Sequence, residues 1–174
     1  MPRKLVSLLV LALACGGAAA GDCTLVFGQG RGVAAADAAE VERWDGVNFA
    51  FNRRVAEVLG ERGEAVVPLV ARAADDDVPA TVRAVLSRAA ADGCARIVET
   101  TLFADAEAGV LVARLREYPL AHDAAGALRI QPPRLTVERQ FDLSPTTLDR
   151  VRPAVLGATM AAELAEQRAA AAGR

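Results

Sequence analysis

Three glutamates, Glu99, Glu117 and Glu138, occupy strand-like stretches of the chain. Paired carboxylates hydrolyse glycosidic bonds, one as a general acid and the other as a nucleophile or base. That chemistry would require two of the three to converge in a concave pocket. Arginines occupy comparable strand positions and could pair with the glutamates: Arg96, Arg114, Arg116 and Arg139. The pattern therefore favours a solvated, ion-paired sheet face over a catalytic pair.

Other catalytic groups are scarce. The only histidine, His122, lies in a polar turn, whereas Ser144 is explained as a helix cap and Ser87 falls within a helix. One histidine does not supply an ordinary zinc site, and Asp75-Asp76-Asp77 lacks the spacing of a calcium-binding loop. The glycines at 28–32 match neither a dinucleotide nor a P-loop motif. We therefore predict no catalytic residue, metal or cofactor, and a protein that is not an enzyme.

The first twenty residues have the layout of a bacterial secretory signal. Arg3 and Lys4 precede an apolar run at 5–14, which is too short to span a bilayer, and small residues follow up to Ala20. Cleavage after Ala20 would release a periplasmic or secreted protein. Alternatively, residues 12–15 resemble a lipobox, in which Cys15 would be lipidated and would tether the protein to an envelope membrane. We favour release, because the first strand begins almost directly after Ala20.

Charge and cysteine content narrow the environment and the partners. Lys and Arg number 20 against 22 acidic residues, a formal net charge of −2, so the chain lacks the basic footprint of nucleic-acid-binding proteins. No later segment is long and apolar enough to predict a transmembrane span. Cys15 is removed or lipidated by either processing route, which leaves Cys23 and Cys94. Because exported proteins fold under oxidising conditions, we predict a disulfide between these two residues.

Hydrophobic periodicity predicts the element order β-α-β-α-β-β-β-α. This order indicates one α/β domain over residues 21–167, with a frayed tail at 168–174, built as a mixed sheet with helices on one face in a two-layer sandwich. Pro68 lacks a backbone donor and places the second strand at an edge of the sheet. If the first and third strands are parallel neighbours, then Cys23 and Cys94, which begin them, lie side by side.

The order of elements resembles that of a group of bacterial envelope domains. The group comprises the penicillin-binding-protein activator lipoproteins, the curli-secretion lipoprotein and the N-terminal domain of the Tol-system propeller protein. The matching pieces are Asn48-Phe49-Ala50-Phe51 leading to Leu59-Gly60, the valine-rich strand at 65–70, and Asp92-Gly93-Cys94-Ala95-Arg96-Ile97-Val98. Cys94 and Arg96 depart from the small-Gly-Ala-Asp segment common in that group. The resemblance implies a non-enzymatic accessory domain and transfers no functional residue.

Trp44 and Phe49 are the candidate partner contacts. If Val47 and Phe51 face the core, Phe49 points elsewhere and could join Trp44 in an exposed aromatic anchor. The alternative is that both pack beneath the segment at 33–43. We expect an exported, non-catalytic binding or assembly module, whose partner is another envelope protein at the open sheet face or an edge strand. A small secreted hydrolase using the strand carboxylates and a small-ligand carrier with an apolar cavity are the alternatives.

Overall fold

Six strands and four helices follow one another in the computed structural model, which describes residues 23–29, 38–72, 75, 77–144 and 146–173. The predicted signal at 1–20, with Cys15, lies outside the described residues. The strands are β1 (Cys23–Gln29), β2 (Ala65–Ala71), β3 (Cys94–Asp105), β4 (Val110–His122), β5 (Leu128–Ile130) and β6 (Leu135–Asp142). The helices are α1 (Ala38–Glu61), α2 (Val78–Ala91), α3 (Thr147–Val151) and α4 (Pro153–Ala172).

The strands form one mixed sheet in the order β2-β1-β3-β4-β5, and β6 also pairs with β4. β1 runs parallel to β2 and β3, whereas β3, β4, β5 and β6 are joined by antiparallel pairing. The predicted α/β class and single mixed sheet are confirmed. β2 lies at the edge, as predicted from Pro68.

The helices divide between the two faces of this sheet. Alternate residues of β1 point to opposite faces, so that Val26 joins one apolar cluster with α1 and α4, while Leu25 and Phe27 join another with Val85 and Ala89 of α2. In the strand order β2-β1-β3, the connection from β1 to β2 moves towards one edge of the sheet, and the connection from β2 to β3 moves back towards the other. Because such connections are right-handed, their helices, α1 and α2, lie on opposite faces. The prediction of helices on one face therefore holds for α1 and α4 but not for α2.

Close packing of α1 against α4 covers the larger cluster. Gly157 of α4 permits this approach, because a Cβ atom at that position would lie 2.8 Å from the main-chain oxygen of Phe51. Leu59 of α1 and Met160 and Leu164 of α4 are fully buried between the helices and the sheet. The contact between these two helices therefore depends on a residue without a side chain.

Two asparagines of α1 form hydrogen bonds with β1 and β3. The buried Asn48 accepts a hydrogen bond from the N–H of Leu102 at 2.9 Å and donates one to the C=O of the same residue at 2.9 Å. Asn52 donates to the C=O of Val26 at 3.3 Å and to Oγ1 of Thr100 at 3.1 Å. Asn48 thus takes the place of a neighbouring strand, since β1 pairs with β3 only as far as Thr100.

The helix ends largely follow the sequence signals. Asp77 caps α2 by accepting a hydrogen bond from the N–H of Ala80 at 2.8 Å, and α4 begins at Pro153, which occupies its first turn. The tail differs from the prediction, since α4 is helical to Ala172. Arg168 explains the difference, because it is mostly buried and forms ion pairs with carboxylates of other elements.

Candidate functional site

The cysteines expected to pair do so. Cys23 and Cys94 form a disulfide whose Cα atoms are 4.2 Å apart, between residues 71 positions apart in the chain. They face each other at the start of the parallel strands β1 and β3. The disulfide prediction is therefore confirmed, and the bond joins β1 to β3, its parallel neighbour in the sheet.

The three strand carboxylates do not share a pocket. Glu117 follows Leu111, Ala113 and Leu115 on the face covered by α1 and α4. Glu99 and Glu138 lie on the opposite face, where β4 separates them by two strand spacings, about 10 Å. The hydrolase alternative, which needs two of the three in one concave site, lacks this geometry.

Each of these carboxylates has a hydrogen-bonding partner. Tyr118 donates its hydroxyl to Glu99 at 2.9 Å, and the Nε of Arg114 lies 2.5 Å from Glu138. Hydrogen bonds from Gln140 and Arg114 lower the pKa of Glu138, whereas burial raises the pKa of Tyr118. This surface of β3, β4 and β6 therefore matches the solvated, ion-paired sheet face that the sequence predicts.

Trp44 and Phe49 point in different directions. Trp44 is buried, with 5% of its surface exposed, and its Nε1 donates to Glu40 at 2.8 Å. It lies one turn before Asn48 and so shares the helix face that packs on the sheet, whereas Phe49 is rotated by about 100°. Phe49 is 52% exposed, with the guanidinium of Arg53 5.9 Å from its ring centroid. The expected joint aromatic anchor is corrected, since only Phe49 is available on the surface.

The region around Phe49 includes the outer edge of the sheet. Among the described strands, β2 pairs with β1 alone, which leaves one side of its main chain open. Asp45, one turn before Phe49, forms an ion pair with Arg72 at 3.7 Å, and this pair places that side of α1 beside the end of β2. Val70, near this end of β2, is 37% exposed. Exposed apolar side chains of α1 and β2 therefore occur beside the free edge.

An apolar groove lies on the other side of the same edge. It has a volume of about 430 Å³ and runs between the end of β2 and α2, lined by Phe27, Leu69, Val70, Thr81 and Ala84, with Asp75 and Asp77 at its rim. We call Phe49, the free side of β2 and this groove the β2-edge surface. It combines unpaired main-chain groups with apolar contacts on both faces of the sheet, which is the arrangement that binds an extended polypeptide.

A second, smaller groove of about 190 Å³ borders α2 on the side of β3 and β5. Three exposed apolar residues line it, Val78, Val82 and Ile130, together with Glu99 and Tyr118. The open form of both grooves differs from the enclosed apolar cavity expected of a small-ligand carrier. Sequence reasoning missed both grooves, since they exist only because α2 lies on the face opposite α1.

The described residues offer neither a metal cluster nor a membrane-spanning helix. Within that part of the chain, no three His, Cys, Asp or Glu side chains are grouped so that they could hold a metal ion. His122 lies exposed at the end of β4, away from both grooves. None of the described helices combines the length and the apolar character needed to cross a membrane.

Comparison with known proteins finds similarity among solved structures alone. No protein-family model matches the chain, and no curated protein matches it. Among solved structures, the chain is similar to a PelC dodecamer from Paraburkholderia phytofirmans, with a TM-score of 0.38 and 15% sequence identity. The match covers 81% of this chain and 86% of that chain. At this level of similarity it carries no argument about function.

Proposed function

We propose that this chain is an exported bacterial envelope protein that acts by binding another envelope protein, and not by catalysis, at the β2-edge surface. The observation that supports this proposal is the free side of β2, flanked by exposed Phe49 on one face and by an apolar groove on the other. The occupant is an extended segment of the partner, which adds a strand to the sheet. Main-chain hydrogen bonds supply affinity in such complexes, and pockets for alternate side chains supply specificity.

The side chains of an added strand would alternate between the two faces of the sheet. Those on the α2 side would enter the groove beside Leu69 and Ala84, and those on the α1 side would meet Phe49. Pro68 cannot donate a hydrogen bond, so main-chain pairing is expected to concentrate on the residues after it, up to Ala71. A proline in an edge strand also limits edge-to-edge association between copies of the free protein.

Export is supported by the signal-like first twenty residues and by the disulfide between Cys23 and Cys94. We propose the released form over the lipid-anchored form. Intact mass of the protein recovered from its natural host tests this step, because cleavage after Ala20 and lipidation of Cys15 give different masses. A mass that includes acyl chains on Cys15 would overturn the released form and leave the binding proposal standing.

The binding proposal is tested by site-specific photo-crosslinking in the envelope of the producing bacterium. A photoreactive residue at Val70 is expected to give one discrete adduct, whereas the same residue at Val155, 58% exposed on α4, is expected to give none of that mass. Ala84→Arg obstructs the groove and is expected to abolish the Val70 adduct. Ala90→Arg is the matched control, because Ala90 is exposed on α2 and does not line the groove.

The pattern across these variants decides the outcome. Loss of the adduct in Ala84→Arg with retention in Ala90→Arg supports the β2-edge surface, and a reduced yield in Phe49→Ala extends it to the α1 side. An adduct that persists equally in Ala84→Arg and Phe49→Ala would refute this surface. Circular dichroism of each purified variant separates a lost contact from a lost fold.

A further inference from the structure

We propose that a third pocket, between the end of α4 and the sheet, binds a small oxyanion such as a phosphate or carboxylate group. It is lined by Arg96, Arg134 and Arg168, and has a volume of about 340 Å³. The pocket lies on the α1 and α4 face, near the starts of the parallel strands. It shares no lining residue with the β2-edge surface, whose groove lies at the other end of the parallel strands, so the two proposals are independent.

Neighbouring strands bring the lining residues of the pocket together. Leu135 of β6 pairs with Glu117 of β4, and Glu117 lies opposite Val98 of β3, two residues after Arg96. The N–H of Arg134 donates to the C=O of Glu117 at 2.8 Å, which holds Arg134 at the mouth of the pocket. Arg168 supplies the opposite wall from the last turns of α4. The pocket is thus built from three strands and a helix that are far apart in sequence.

Arg168 is positioned by two carboxylates and has donor capacity left over. Its Nε donates to Glu117, and its Nη1 donates to Glu64 at 2.5 Å. Its Nη2 is buried and has no hydrogen-bond partner among the described residues. A buried donor without an acceptor is uncommon in folded proteins and calls for an explanation such as a water molecule or an ion. An oxyanion next to this guanidinium supplies the missing acceptor.

Arg134 adds further donors at the mouth of the same pocket. Its side chain is exposed, and within the described part of the chain its guanidinium forms no ion pair or hydrogen bond. A guanidinium presents five N–H donors in a planar fork that fits a carboxylate or phosphate group in a bidentate manner. Glu117 and Glu64 accept from Nε and Nη1 of Arg168, which leaves Nη2 of Arg168 and the guanidinium of Arg134 as the donors for a ligand.

The size of the pocket restricts the ligand. Its α4 wall is completed by Ala169, Ala171 and Ala172, whose side chains end at Cβ and leave the space between the arginines open. A volume of about 340 Å³ lies at the lower end of the range for small-molecule sites. It suits inorganic phosphate or a small polycarboxylate, and it excludes a large folded partner.

Titration calorimetry with inorganic phosphate and with citrate, at constant ionic strength, tests the proposal. The native chain is expected to bind at least one of the two anions saturably at one site. Arg134→Gln is expected to weaken that binding by roughly ten-fold, the scale of one lost charge-assisted contact. Because Arg134 is exposed, the variant should fold normally. Arg83→Gln, which removes an exposed arginine on α2, is the matched control and should bind like the native chain.

Amide chemical shifts locate the site and identify the source of the anion. Binding should move the amide signals of Ala169, Ala171 and Ala172 and leave those of β2 unchanged. Vesicles containing phosphatidylglycerol, compared with phosphatidylcholine vesicles, distinguish a lipid headgroup from a free anion. If the anion is a lipid headgroup, the phosphatidylglycerol vesicles recruit the native protein, and Arg134→Gln weakens this recruitment. If it is a free anion, the vesicles do not recruit the protein in an Arg134-dependent manner. No saturable binding of either anion, or equal affinity in Arg134→Gln and Arg83→Gln, would overturn the proposal.

Discussion

Replacing Asn48 by alanine is expected to lower the free energy of unfolding by about 2–6 kcal/mol. The substitution removes the hydrogen bonds between the carboxamide and the N–H and C=O of Leu102, a residue with no exposed surface. Each buried main-chain group left without a partner costs roughly 1–3 kcal/mol. This loss is a large fraction of the 5–15 kcal/mol or so that stabilises an ordinary domain.

Urea denaturation followed by far-UV circular dichroism measures this loss. Tryptophan fluorescence serves as a second probe, because Trp44 is the only tryptophan and is buried one turn from Asn48. Asn52→Ala provides a comparison and should cost less, since the Asn52 carboxamide makes longer contacts and Thr100 Oγ1 keeps its bond to Phe27.

Phe49→Ala is the matched control at the next position. Phe49 is half exposed, so its truncation should change stability by less than about 1 kcal/mol, as is usual for surface substitutions. A cost below about 1 kcal/mol for Asn48→Ala would show that water satisfies Leu102 without the asparagine. That result would refute the interpretation of Asn48 as a substitute for a neighbouring strand.

Three further outcomes follow from the packing, the disulfide and one carboxylate. Gly157→Ala places a Cβ atom 2.8 Å from the main chain of α1 and should lower the free energy of unfolding, measured by denaturation, by about 1–3 kcal/mol. Gly60→Ala, with open space around it, should leave that free energy unchanged or raise it. Reduction of the Cys23–Cys94 bond should lower stability by roughly 4 kcal/mol in the chain-entropy estimate, and a Cys94→Ser variant should lose its response to reductant. Hydrogen bonds from a neighbouring glutamine and arginine lower the pKa of Glu138 below its ordinary value of 4.5, so its contribution to stability is present above pH 4.5 and is lost as the pH falls through the lowered value. Glu138→Gln should therefore flatten the acid side of the stability profile, and an unchanged profile would contradict this assignment.

The disulfide and the edge strand could be predicted because each depends on information local to a few residues. Two cysteines remain once the segment predicted to be a leader is set aside, and each begins a strand, so a parallel arrangement of β1 and β3 is enough to pair them. Pro68 similarly identifies an edge strand through a missing donor, whatever the order of the remaining strands.

The position of α2 could not be predicted in the same way. Periodicity indicates which stripe of a helix is buried but does not say which face of the sheet covers it. The face follows from the strand order β2-β1-β3, which is a property of the whole chain. The same limit applies to Val82, which the spacing of α2 assigns to the buried stripe with Val85, although Val82 is 39% exposed at the rim of a groove.

Arg168 shows why the helical end of α4 could not be predicted from the local sequence. The last residues are mostly alanines and arginine, with little apolar surface to bury, and such a composition is typical of a loose terminus. Its partners Glu64 and Glu117 lie 104 and 51 residues away in sequence, beyond the reach of any local pattern. Long-range ion pairing of one residue therefore orders the helix end, and it also builds the wall of the proposed anion pocket.

The internal bracing of β1 and β3 explains how the edge of this sheet can serve as a binding surface. The disulfide joins the two strands at their starts, and Asn52 joins α1 to the middle of both strands, through Val26 and Thr100. β2 pairs with β1 along its whole length and is carried on this braced pair. Binding to a preorganised edge avoids the entropy cost of ordering the receptor, so more of the contact energy appears as affinity. Loss of Asn52 should accordingly weaken binding at the β2-edge surface without any change in the residues that touch the partner.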